Sequence, residues 1–144
     1  MASTIDPTPE AQPRSASYAF PAGIPAFETH TRFRLVENPA FAPIVLLESE
    51  LDPAVRFACA PVALIVENYR LELSEDEMEL LGRPADPASL LVLAILTFRE
   101  GRPPTANLLA PVVLNPATAT GVQSVQCGAS WPVMYPLREE TSCS

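Results

Sequence analysis

A proline stands in the middle of an apolar, strand-like stretch of this chain, and it limits the folds available. The stretch is TANLLAPVVLNP, Thr105 to Pro116, and the proline is Pro111. Proline has no N–H to give a ladder, so inside sheets it is confined to edge strands, strand starts and bulges. The segment therefore reads as an edge or a bulged strand. At period two it shows two faces. Ala106, Leu108, Ala110, Val112 and Leu114 form one, which reads as core. Asn107, Leu109, Pro111, Val113 and Asn115 form the other, apolar in the middle and amide-tipped at both ends. That second face suits either a sandwich interior or a surface that another chain covers.

Other segments read as short extended pieces. TRFRLV alternates Arg32 and Arg34 outward against Phe33 and Leu35 inward. PIVLLES is apolar on both faces, Ala54 to Ala60 sets Val55, Phe57 and Cys59 against Arg56 and Ala58, and YRLEL sets Tyr69, Leu71 and Leu73 against Arg70 and Glu72. SLLVLAILTF reads as a buried strand, GVQSVQC as a further one, and WPVMYPL as an extended tail. VALIVEN reads as a short helix or an irregular wrap. The one clean helix signal is SEDEMELLG, where Ser74 and Glu77 make a capping box, acids fill the first turn and Gly82 takes the C′ position. Seven or eight strands with one short helix predict an all-β fold, a small antiparallel barrel-like or sandwich domain.

With 144 residues the chain makes one domain. Residues 1–17, rich in Pro, Ser, Thr and Ala, are expected to be a disordered tail, residues 18–137 the β domain, and residues 138–144 a flexible C-terminal tail. Hydrophobic residues make up 48% and mean hydropathy is +0.16, enough to fold without disulfide or metal. The net charge is −8, all nine basic residues are arginine and no basic run exists, so nucleic acid is not an expected partner. The N-terminus lacks a basic region followed by an apolar one, and the run Leu90 to Leu96 is too short to span a bilayer. Cys59, Cys127 and Cys143 are widely spaced and odd in number, which indicates neither a disulfide framework nor a zinc site. A soluble protein of the reducing cytosol is expected.

Catalytic groups are scarce. His30 is the sole histidine, there is no lysine, and no G-x-S-x-G, H-E-x-x-H or Gly-rich phosphate loop occurs. The acids of SEDEMEL suit a solvated helix start better than a cation site, because the glycine of a calcium loop is missing. No catalytic, cofactor or metal residue is nominated, and an enzyme is not expected. The surplus is apolar and proline-rich surface, the material of protein recognition.

Three blocks together resemble the FliW family of bacterial flagellar assembly factors: FPAGIPAFE (Phe20 to Glu28), LVLAILTF with TANLLAPVVLNP (Leu91 to Pro116), and WPVMYPL (Trp131 to Leu137). The likeness runs over about residues 18 to 137, and T-A-N-L-x-A-P-x-V-x-N is its most specific block. The resemblance implies a small all-β protein without cofactor. It implies a cytoplasmic binder that sequesters the translational regulator CsrA and alternatively binds flagellin, with no membrane or small-molecule partner. Three departures stand out. Ala26 occupies the second glycine of the family's G-I-P-G-F-E, a turn that alanine fits less easily. The strand that commonly precedes F-P-x-G falls in the low-complexity tail, and Met134 and Tyr135 replace a basic pair near the end.

Candidate partner-binding residues follow from these blocks: Phe20, Ile24, Phe27 and Glu28; Asn107, Leu109, Pro111, Val113 and Asn115; Trp131 and Tyr135. Each has a plainer reading beside it. Phe20, Ile24 and Phe27 can anchor their loop to the core, Asn107 and Asn115 can cap turns, Pro111 can block edge-to-edge pairing, and the two aromatics can close a barrel end. A different class also stays open, a β-barrel ligand carrier or enzyme with an interior pocket.

Overall fold

The computed structural model describes residues 14–84, 86–128 and 130–137. Its elements run β1 (Arg14–Ala19), β2 (Arg32–Glu37), β3 (Val45–Ser49), β4 (Arg56–Pro61), α1 (Glu75–Leu80), β5 (Leu91–Thr97), β6 (Thr105–Asn115), β7 (Thr120–Gln123) and β8 (Tyr135–Pro136). The sheet order is β5-β4-β3-β2-β1-β7-β6-β8, and a further pairing of β5 with β6 closes seven strands into a barrel with β8 added outside the ring. The pairings are antiparallel except β1 with β7, which are parallel and meet at the single pair Ala19 and Thr120.

Period-two patterning builds the interior. Phe33 and Leu35 of β2, Leu47 of β3, Cys59 of β4, Leu93 of β5 and Val112 and Leu114 of β6 share one buried cluster with Tyr18, Phe20 and Ile24. Phe20 and Phe33 meet edge to face with ring centroids 5.1 Å apart. The outside of the sheet is covered as well. A second cluster, around Ala60, Ala94, Leu96, Ala106 and Leu108, lies under Ile65, Val66, Tyr69, Trp131, Tyr135 and Leu137. A third joins Val113 and Val122 to Leu81 and Leu90.

The helix has the expected ends. Ser74 and Glu77 bond each other's backbone N–H reciprocally, and Gly82 at φ 75° donates to the Glu79 carbonyl. Two expectations are corrected and one choice is decided. Residues 14–17, assigned to the disordered tail, belong to β1; small polar residues hide its signal, but six positions pair with β2 and Tyr18 is buried. Residues 1–13 and 138–144 lie outside the described residues. YRLEL is extended but not a strand, because Gln126 stands in for a neighbouring strand: its Oε1 accepts from the Glu72 N–H at 2.8 Å and its Nε2 donates to the Glu72 carbonyl at 3.0 Å. Of the two options for Pro111 the bulge holds, since β6 is flanked by β5 on one side and by β7 and β8 on the other.

The loop before β2 contains the turn Ile24-Pro25-Ala26-Phe27, closed by the Phe27 N–H on the Ile24 carbonyl at 2.6 Å. Ala26 sits there at φ 77°, the left-handed region expected from its place in the family's motif. An L-side chain is strained in that region and glycine is not. Ala26→Gly is expected to stabilise the protein by roughly 0.5–1 kcal/mol, the relief of strain less the added entropy of the unfolded chain. Thermal unfolding checks this, and an unchanged or lower Tm would contradict it.

Burial pushes the Cys59 thiol up from 9.0 to about 12 and the Tyr69 hydroxyl up from 10.0 to about 12. Both protons are held more tightly in the folded chain than in the unfolded one, so their contribution is complete below about pH 9 and is lost on rising towards pH 12. Denaturant titrations at stepped pH are expected to show stability falling across that window, with Cys59→Ala removing the part that sets in first.

Candidate interaction surface

The barrel wall at Pro111 shows what the nominated residues do. Ile95 of β5 lies opposite Asn107, but Leu93 lies opposite Val112. Two steps along β5 thus match five along β6, and three extra residues form a wide bulge. An odd excess exchanges the two faces of a strand. Ala106 and Leu108 consequently point to the outer cluster while Val112 and Leu114 point to the interior, so four of the five residues read as one core face divide between two, and Ala110 joins neither cluster.

The bulge is fully bonded. Asn107 Oδ1 accepts the N–H groups of Leu109 and Ala110, both at 3.0 Å. The carbonyls of Leu109, Ala110 and Pro111 receive the Gln126 N–H, Gln123 Nε2 and the Ser124 N–H. Asn115 is equally committed: its Nδ2 donates to the Leu81 carbonyl at 2.7 Å, ending α1, and its Oδ1 accepts from Ala117 N–H. Pro111, Val113 and Asn115 are buried, with Val113 under the α1 segment. Of the two readings of this face, cover by the chain itself holds for Pro111, Val113 and Asn115, while Asn107 and Leu109 are half-buried.

Phe20 and Ile24 are buried too, and Gly121 explains the fit of the first, since a Cβ there would come within 2.6 Å of the Phe20 ring. Neither presents surface. Phe27 is half-buried against Phe57 and His30 with ring centroids 5.7 and 5.8 Å away, and Glu28 is exposed with its carboxylate on the Ala26 N–H. Trp131 stacks on Tyr69 at 4.7 Å, and Tyr135 lies in β8; both are half-buried over the outer cluster.

Groups able to do chemistry are occupied in holding the fold. His30 Nδ1 lies 2.6 Å from Ser49 Oγ, which also accepts the N–H groups of Leu51 and Asp52. Among the described residues no group of three or more His, Cys, Asp or Glu could hold a metal ion, and no helix is long and apolar enough to cross a membrane.

What the structure brings together instead is an apolar groove outside the barrel, about 710 Å³, lined by Ile44, Leu64, Leu96, Phe98, Tyr135 and Leu137 among others. Leu64 and Phe98 are 66% and 57% exposed on its walls. Next to it Arg99 and Arg102 share a smaller hollow with Met134. Of the nominated residues only Tyr135 belongs to this groove. The sequence carries no signal for Leu64 or Phe98: the first lies in an irregular wrap and the second ends a uniformly apolar run, where periodicity marks no outward face.

The family model described as FliW protein matches residues 4–137. The chain belongs to the FliW family. A flagellar assembly factor FliW of Moorella thermoacetica is 35% identical over 127 residues, covering 85% of this chain and 78% of that one. One of Thermotoga petrophila is 32% identical over 126 residues, covering 85% and 83%. A solved structure described as the crystal structure of the flagellar assembly factor FliW superposes with a TM-score of 0.78 over 94% of this chain and 92% of that one, at 23% identity, which places the fold.

Asn115, the last letter of the T-A-N-L-x-A-P-x-V-x-N block, thereby has a structural role. Asn115→Ala leaves the Leu81 carbonyl without its short amide partner in a buried site and is expected to cost about 2–3 kcal/mol. Chemical denaturation checks this; a loss under about 0.5 kcal/mol, the size of an exposed substitution, would contradict it.

Proposed function

We propose that the chain is a non-enzymatic flagellar assembly factor of the cytoplasm that binds CsrA and flagellin, so that flagellin level governs how much CsrA is free to repress flagellin translation. Membership of the FliW family carries this reading. Its support lies in the chemistry of the surface: His30, Asn107, Asn115 and Gln126 serve the fold, while large apolar side chains at Leu64 and Phe98 stand in water beside Arg99 and Arg102. Exposed apolar residues rimmed by charge are what a protein partner covers. A net charge of −8 keeps RNA away and favours a basic regulator.

If the two partners exclude each other, saturating flagellin abolishes CsrA binding; if they act through the barrel, each weakens the other by the same factor. Isothermal titration with CsrA, with flagellin, and with flagellin added to the preformed CsrA complex decides. Binding of both with displacement is the expected result. No heat with either up to about a hundred micromolar, where an interaction of roughly −5 to −6 kcal/mol registers, would overturn the reading.

A further inference from the structure

Among the described residues the strands β1 and β7 close the barrel seam at a single pair, Ala19 and Thr120. The Phe20 N–H donates to the Thr31 carbonyl, and in the same register Tyr18, Ala16 and Arg14 face Phe33, Leu35 and Glu37. Antiparallel pairs alternate between bonded and non-bonded. The even-numbered positions of β1 are thus bonded to β2, and the odd ones turn their N–H and carbonyl groups the other way. Ala19 confirms the direction, since its N–H reaches the Ala119 carbonyl across the seam at 2.8 Å. Beyond that bond β7 does not run beside β1. The outward groups of Ser15 and Ser17 have no backbone partner among the described residues.

An apolar cup of about 510 Å³ opens at the same end of the barrel. Its walls include Leu35, Val45, Pro61, Leu91 and Leu93, with Arg14 and Glu37 also lining it, and no residue of β6 or β7 does so. Leu91 is 38% exposed there. Among the described residues the cup lacks a wall on the side where the edge of β1 has no partner.

We propose that the outer edge of β1 accepts an extended segment of a partner chain as an added strand, an aliphatic side chain of which fills the cup. Bare backbone groups at strand spacing are matched by another extended backbone. Apolar walls select aliphatic side chains at alternate positions of that strand. A chain of net charge −8 favours a partner segment with basic flanks over a second copy of itself. This goes beyond the apolar groove and beyond CsrA and flagellin as such, resting on the proposed function only in taking the segment to be a partner's.

The test uses the full chain and a fluorescein-labelled peptide, Lys-Thr-Leu-Thr-Val-Thr-Leu-Lys, with a scrambled control, followed by anisotropy and by amide hydrogen exchange. In the free protein the Ser15 and Ser17 amides exchange fast, and saturation with the peptide protects both. Ser15→Pro removes one outward donor without touching a bond to β2 and weakens the peptide about tenfold or more. Ser15→Ala keeps that donor and binds as the parent does, and both variants keep the parent's fold by circular dichroism. Should Ser15→Pro fail to fold, protection of the two amides in the parent decides. Slow exchange of these amides in the free protein would mean that a second copy or the chain's own N-terminal residues already cover the edge, and overturns the proposal. So does binding without their protection, equal binding of the scrambled peptide, or no binding up to about 1 mM, the range of weak strand addition. Because the peptide is neither CsrA nor flagellin, failure here and failure of the proposed function are read separately.

Discussion

Asn107 holds the feature on which the rest of the barrel depends. A proline in the interior of a strand flanked on both sides removes a ladder bond, and β6 leaves β5 from Leu108 until Val112. Unbonded, those backbone groups would each carry a desolvation penalty of about 1–3 kcal/mol. A single side-chain oxygen receives two of the freed N–H groups, and the segment Gln123–Gln126 takes three freed carbonyls. The bulge is thereby a junction: below it β6 pairs with β8, above it with β7. One strand can serve two neighbours on the same side because it changes face and direction between them.

That exchange of faces gives the molecule its layered wall. The N-terminal half of β6 turns Ala106 and Leu108 outward, so the outside of the sheet needs cover, and the stretches around Ile65, Tyr69, Trp131 and Tyr135 provide it. The C-terminal half turns Val113 outward, and Leu81 and Leu90 cover that. Polar side chains tie the cover down: Gln126 to Glu72, Asn115 to Leu81, Ser124 Oγ to Glu77. The interior itself is packed with Phe20, Phe33, Leu47 and Leu114, which leaves open space at the rim and in the outer groove. Such a barrel offers surfaces to other chains and little room for a substrate within.

Where sequence and structure agree, the determinant is local. The capping box of α1, the inward Phe33 and Leu35, the strain at Ala26 and the need for a bulge at Pro111 are each decided by residues within a few positions. Where they part, the determinant is distant. The parity of β6 depends on where β5 resumes pairing, β1 forms because β2 offers six partners to a stretch of weak propensity, and Tyr69 to Leu73 are held by a glutamine more than fifty residues away. The candidate residues of β6 misled for the same reason. Apolar alternation with amide ends looks alike whether another chain or the same chain covers it, and only tertiary structure tells the two apart.

The cup and the outer groove are not independent. Pro43 and Ile44 line both, the cup continuing through Val45 and Pro61 and the groove through Ala60 and Ile65. Occupants of the two places would both touch one two-residue strip, a prolyl ring and a branched side chain with few rotamers. Were a group in the cup to displace these two residues, the groove would feel it, and thermodynamics makes any such influence mutual. Contact through a shared wall needs no large conformational change, which suits a packed barrel that deforms little. A partner switch on this scaffold can arise without overlap of the two partners, from the stiffness of the strip between them.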